Sequence, residues 1–122
     1  FVSVGQFSTE SGYQMMEQLI QDLGDDLPTA FFMASDALAV GALRSLQEHQ
    51  IAIPDRVSII SFNDTSIAKY VFPPLSTITV FTEEMGRTAM DVLNKQVLSP
   101  REIPTLTMLG TKLTIRESTK NG

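Results

Sequence analysis

The run from Ile53 to Thr79, IPDRVSIISFNDTSIAKYVFPPLSTIT, constrains this chain more than any other stretch. Val57 to Phe62 is apolar except for two small serines, Ser58 and Ser61. Such a segment reads as a strand buried inside a sheet. It ends abruptly in a polar cluster, Asn63-Asp64-Thr65. Pro73-Pro74 then leads into a second strand, Ser76 to Phe81. Open α/β sheets gather their ligands just beyond the carboxyl ends of their strands. The polar cluster therefore marks a candidate cleft for a small molecule.

The rest of the chain supplies the fold around it. Its 122 residues suit one modest domain. A hydrophobic fraction of 43% permits a packed core, and a charged fraction of 19% argues against disorder. The net charge of −5 comes without a basic stripe, so this stretch by itself is a poor nucleic-acid binder. The absence of cysteine excludes disulfides, thiol catalysis and thiolate metal sites, and fits a reducing compartment. No apolar run approaches the ~20 residues of a membrane span. The opening FVSVGQFS has neither the charge nor the cleavage pattern of a signal peptide, and reads as the interior of a longer protein.

Strands and helices alternate. Phe1 to Val4 is expected as a short strand closed by Gly5. A helix follows from a Ser8 or Thr9 cap to about Asp22, with Tyr13, Met16, Leu19 or Ile20, and Leu23 on its apolar face. Gly24-Asp25-Asp26 stops it. Thr29 to Met33 is a continuous apolar strand. Ser35-Asp36 opens a second helix, to about His49, with Ala39, Leu43 and Leu46 at helical spacing. Thr65 to Phe72 is a loop with room for a helical turn. Thr82 is the expected cap of a third long helix, ending near Leu98, with Glu83 and Glu84 in its first turn and a stripe of Met85, Ala89, Val92 and Leu93. Two short strands, Thr105 to Leu109 and Lys112 to Ile115, close the chain, and the residues from Glu117 are expected to fray. The order predicts an α/β fold: a parallel sheet with helices on both faces.

Catalytic and metal patterns are missing. His49 is the only histidine and reads as a solvent-facing residue at a helix end. No GxSxG elbow, P-loop or dinucleotide GxGxxG occurs. Asp25-Asp26 and Glu83-Glu84 lack metal-ligand spacing and read as a solvated turn and a favourable helix start. No cofactor is implied. What remains is a set of groups after three successive strands: Phe7, then Ser35 and Asp36, then Asn63, Asp64 and Thr65. In a parallel sheet these fall on one edge. An aromatic face with hydroxyl, amide and carboxyl groups suits a polyol such as a sugar. Each also has a bland reading, as core (Phe7), helix cap (Asp36) or loop tie (Asp64, Thr65).

The segments GQFSTESGYQMMEQL, PTAFFMASDALAVGALRSLQEHQIAIPDRVSIISFNDT, PPLSTITVFTEEMGRTAMDVL and LTIREST, in this order and spacing, resemble the effector-binding core of the lactose repressor/galactose repressor family of bacterial transcription regulators. The variant KYVFPPLSTITVFTEEMG looks most like galactose-operon repressors of Gram-positive bacteria. The resemblance implies a periplasmic-binding-protein-like fold, mainly its C-terminal subdomain and incomplete. Residues 1–81 and 105–117 fall in that subdomain; 82–104 are a helix and crossover that would pack on the other subdomain. It implies a stacking aromatic at Phe7, a hydrogen-bonding residue at Ser35 with Asp36 as cap, a ligand-hydroxyl contact at Asn63 beside Asp64, and an effector-facing position at Val80. Many members carry aspartate where Asn63 stands and a polar residue where Val80 stands, which implies a less polar site here. The partners implied are a sugar effector, operator DNA reached through a headpiece outside this chain, and a second copy in a homodimer, in the cytoplasm and without membrane.

Three other classes share parts of this pattern. A periplasmic sugar-binding protein of a transporter has the same fold and cleft, but PPLSTIT and LTIREST favour the repressor. An enzyme of flavodoxin-like or hydrolase type lacks its nucleophile–base pair here. A plain interaction module predicts no effector affinity.

Overall fold

The computed structural model describes residues 2–120. Helix α1 (Thr9–Leu23) starts at Ser8, whose hydroxyl accepts from the Ser11 amide, and ends at Gly24, which adopts φ +51°. A short 3-10 turn, Gly24–Asp26, leads to strand β1 (Ala30–Phe32). Helix α2 (Asp36–Glu48), strand β2 (Ser58–Asn63), the single turn α3 (Ile67–Tyr70), strand β3 (Ser76–Thr79), helix α4 (Thr82–Leu98) and strand β4 (Lys112–Thr114) follow. The sheet has the order β1-β2-β3-β4. The first three strands run parallel, with Phe31 opposite Ile59 and Phe62 opposite Ile78, while β4 returns antiparallel to β3, with Leu113 opposite Ile78.

One face of this sheet carries the core. Met16 of α1, Ala39, Ala42, Leu43 and Leu46 of α2, Val57 and Ile59 beside and on β2, Ala68 of α3 and Leu75 form a single buried cluster. The opposite face is more open: Phe32 is exposed, and Ile60, Phe62 and Ile78 are half-buried. Helices α1 and α2 meet through glycines. A Cβ on Gly12 would strike the Leu38 backbone, and one on Gly41 would strike the backbone of Thr9 and Tyr13. No other residue allows so close an approach. A polar seam closes the far end of this pair. Ser45 donates to Glu17 (2.8 Å), His49 pairs with Glu17 (3.0 Å), and Tyr13 donates to Glu48 (2.7 Å). The Ser45 and His49 hydrogen bonds hold Glu17 below the usual carboxylate range, and those from Tyr13 and Arg44 do the same for Glu48. His49 thus faces solvent, as its helix-end position implies, but also ties the two helices together.

Four sequence expectations change. Phe1 lies outside the described residues, and residues 2–4 form no strand: Val2 is 93% and Val4 92% exposed, with no ladder partner. Val2 and Ser3 run instead along an apolar groove of about 460 Å³ between α1 and the free edge of β1. Residues 105–109 are likewise unpaired, with Leu106 and Met108 exposed. A strand needs a neighbour for its backbone groups, and local pattern cannot supply one. At α4 the cap position is Phe81, which has no side-chain acceptor, and Thr82 is already helical. The tail does not fray at Glu117. Ser118 is wholly buried: its hydroxyl donates to the Ile59 carbonyl (2.6 Å) and accepts from the Ser76 amide (2.8 Å), bridging β2 and β3.

From Phe81 to Leu113 no residue is buried. The chain leaves the sheet after β3, runs out through α4, and comes back to place β4 against β3.

Candidate functional site

The carboxyl ends of β1, β2 and β3 form one edge because the three strands are parallel. Ser35 stands beyond β1, Asn63 ends β2, and Val80 follows β3. Phe7 joins them from α1. The first turn of α1 packs on the first half of α2 through Thr9–Gly41 and Gly12–Leu38, which sets Phe7 at the same end of the molecule. Phe7 is 70% exposed and offers an aromatic surface. Asn63 is exposed, and Val80 is half-buried.

Ser35 takes the cap role that was expected of Asp36. Ser35 is the cap of α2, accepting from the Leu38 amide (3.3 Å). Asp36 is the first helical residue and only 1% exposed. One of its oxygens accepts from Ser61 (2.5 Å) and Thr77 (3.1 Å), the other from the Thr65 amide (2.6 Å) and Thr65 hydroxyl (2.8 Å). Four donors engage the whole accepting capacity of a carboxylate, which makes its burial tolerable. The Asp36 carboxylate is therefore engaged within the protein. It fixes the edge by joining α2, β2, β3 and the loop after Asn63. Ser61 of β2 is explained by the same contact, as the short donor that reaches Asp36, whereas Ser58 accepts from the Lys120 amide.

Asp64 is also engaged. Arg116 donates to one oxygen (2.7 Å) and Thr79 to the other (2.8 Å). Burial works against its charge, yet the Arg116 guanidinium and the Thr79 hydroxyl hold its carboxyl below the ordinary aspartate range. Since the Thr79 proton goes to Asp64, Thr79 accepts from Thr114 of β4 (2.6 Å). Arg116 is itself anchored on the Leu75 carbonyl (2.7 Å) and, through its amide, on the Ser76 hydroxyl (2.8 Å).

Beside the edge lies a second feature that the sequence pattern did not expose. Phe62, Val80, Phe81, the α4 stripe at Met85, Ala89 and Val92, and Thr105, Thr107 and Leu109 line an open apolar groove of about 740 Å³. Its only sequence signal is the α4 stripe, whose host could not be named from periodicity. Among the described residues no cluster of three histidine, aspartate or glutamate side chains could hold a metal ion. Among the described residues no helix is long and apolar enough to cross a membrane.

Open α/β sheets bind ligands beyond the carboxyl ends of their strands, where this edge lies. The sequence profile of the periplasmic binding protein-like domain matches residues 2–119. The chain belongs to that family. Within it the chain groups with the effector-binding cores of lactose repressor/galactose repressor regulators. It is 62% identical over 120 residues to the HTH-type transcriptional regulator GalR of Streptococcus thermophilus, a match of 98% of this chain and 36% of that protein. Among solved structures, the transcriptional regulator CelR in complex with cellobiose superposes with a TM-score of 0.88 at 32% identity, over 96% of this chain and 35% of that one. The lac repressor dimer bound to operator and the anti-inducer ONPF superposes with a TM-score of 0.87 at 28% identity, over 94% and 39% of the two chains. The chain thus spans little more than a third of the length of the regulators it matches.

Proposed function

We propose that this chain is part of the effector-binding domain of a sugar-responsive transcriptional repressor. The observation that carries the reading is the joint one of the edge and its relatives. Phe7, Ser35, Asn63 and Val80 gather at one end of a parallel sheet, in a chain 62% identical to GalR of Streptococcus thermophilus. Phe7 stacks on the apolar face of a sugar ring, while the Ser35 hydroxyl and the Asn63 amide hold its hydroxyls. Val80 makes that wall less polar. The chain performs no catalysis. Residues 1–81 and 105–117 form one wall of the cleft, and 82–104 belong against a second subdomain in the longer protein. That protein works in the cytoplasm as a homodimer and reads operator DNA through a separate headpiece. Its effector binds two relative subdomain orientations unequally and so shifts the spacing of the paired headpieces.

A thermal-shift screen of the full-length protein against sugars and sugar phosphates tests this. One sugar class is expected to raise the melting temperature with increasing concentration. Stabilisation by none of them rules out a sugar effector. A signal peptide in place of a DNA-binding headpiece ahead of this segment would favour a transporter's binding protein. The 122 residues alone are expected to bind sugar weakly or not at all, since they supply one wall; micromolar affinity by calorimetry would overturn that.

A further inference from the structure

Asn63 and Asp64 both adopt positive φ, +108° and +61°. Two successive non-glycine residues in this region are unfavourable, and such backbone persists only where its surroundings hold it. Here the holding groups can be named. Ahead of the turn, the Val80 amide donates to the Asn63 carbonyl (3.3 Å). Behind it, Thr65 donates twice to buried Asp36. In the middle, Asp64 takes one hydrogen bond from Arg116 and one from Thr79. Its side chain is only 10% exposed and that of Arg116 17%. Asn63 is different: it is exposed, and its amide has no hydrogen-bond partner among the described residues. The arrangement pins the backbone through Asp64 and leaves the neighbouring amide open.

We propose that Asp64 is a positioning residue and not an effector contact. Its carboxylate, clamped by Arg116 and Thr79, fixes the left-handed turn that presents Asn63 at the cleft edge. Arg116, far along the chain and next to the last strand, thereby sets the geometry of the site without touching the ligand. This rests on the reading of that edge as the effector site.

The test uses the full-length protein, with D-galactose as probe in calorimetry and urea unfolding as a second readout. Affinity measured on folded protein does not follow a general loss of stability. A direct contact would suffer equally from Asp64→Gly and Asp64→Ala, because both delete the carboxylate. A turn-holding residue discriminates between them, since glycine enters the left-handed region freely and alanine does not. Asp64→Gly is expected to bind galactose about tenfold more tightly than Asp64→Ala. On an Arg116→Gln background, Asp64→Asn is expected to weaken binding by less than about twofold further, because the two residues act as one unit. Equal losses for the glycine and alanine variants, or full additivity with Arg116→Gln, would overturn the proposal. If the wild-type protein binds no galactose, it is the choice of sugar that fails. The same cycle in urea then decides the role of Asp64: a carboxylate clamped by Arg116 gives coupling with Arg116→Gln, and additive losses would overturn the proposal.

Discussion

Helices α2 and α4 look alike in sequence and differ completely in the structure. Both place small and aliphatic residues at helical spacing: Ala39, Leu43 and Leu46 in one, Met85, Ala89, Val92 and Leu93 in the other. In α2 that stripe is buried, with Ala39 and Leu46 at 0% exposure. In α4 no residue is buried. Helix α2 has β2, α1 and α3 to pack against, whereas α4 has only the rim of Phe62 and the loose strand of chain at 105–111. Periodicity states which face of a helix is apolar. It does not state what covers that face, because the cover is a nonlocal property. The open stripe of α4 fits the proposal that this helix packs on a second subdomain, in a chain that spans 36% of the length of its GalR relative.

The sharpest way to break this comparison is to truncate matching residues. Leu46→Ala opens a cavity in a closed core and is expected to lower stability by about 2–5 kcal/mol in urea unfolding. Leu93→Ala in the 122-residue chain should change it by under about 0.5 kcal/mol. A loss there as large as that of Leu46→Ala would mean that α4 has a host within this chain. In the full-length protein the Leu93→Ala loss should grow toward the core value.

Glycine gives the next largest contrast, with opposite signs. Gly41→Ala in α2 forces a Cβ into the backbone of α1 and is expected to destabilise by roughly 1–3 kcal/mol. Gly86→Ala in α4 meets nothing within 4 Å. There the gain in helix propensity dominates, and thermal unfolding should show a stabilisation of about 0.5–1 kcal/mol.

Acid separates the two regions more gently. Glu17, Glu48 and Asp64, all in the packed part, have carboxyls lowered by their hydrogen bonds and charges. Lowered values mean that the folded state binds fewer protons than the unfolded chain. Their contribution is full above the unfolded value near pH 4 and disappears as pH falls through the lower folded values. Unfolding midpoints should therefore drop below about pH 4, and Glu17→Gln or Asp64→Asn should flatten that slope. An unchanged slope in both variants would show that other groups set the acid limit. The smallest effect belongs to α4. Its Arg87–Glu84 pair is exposed and 3.9 Å apart, so Glu84→Gln should shift stability by less than about 0.5 kcal/mol.

Much of the fold was legible before any coordinates. The helix from a Ser8 cap, the helix opening at Ser35, the β2 and β3 segments and their parallel order all follow from caps, periods and breakers. The failures share a cause. Residues 2–4 and 105–109 have strand-like composition but no neighbour to pair with, and Ser118 was expected to fray because nothing local reveals that it bridges β2 and β3. The site was legible as a place and less so as a set of roles. Phe7, Ser35 and Asn63 were picked out by their position after strands, and Val80 by the family resemblance. The division of labour between Ser35 and Asp36 was not, since both are good helix starters and only the arrival of Ser61, Thr65 and Thr77 decides which one caps the helix and which one joins the strands.

The sequence by itself determined the alternation of strands and helices, the cleft edge at Asn63 and the family, because these depend on spacing along the chain. The tertiary structure alone decided that Asp36 is an internal hub, that Asp64 answers to Arg116, and that α4 lies open. Those facts depend on which distant groups meet. A carboxylate's role is set by the donors that reach it, and an apolar stripe's role by the surface that covers it.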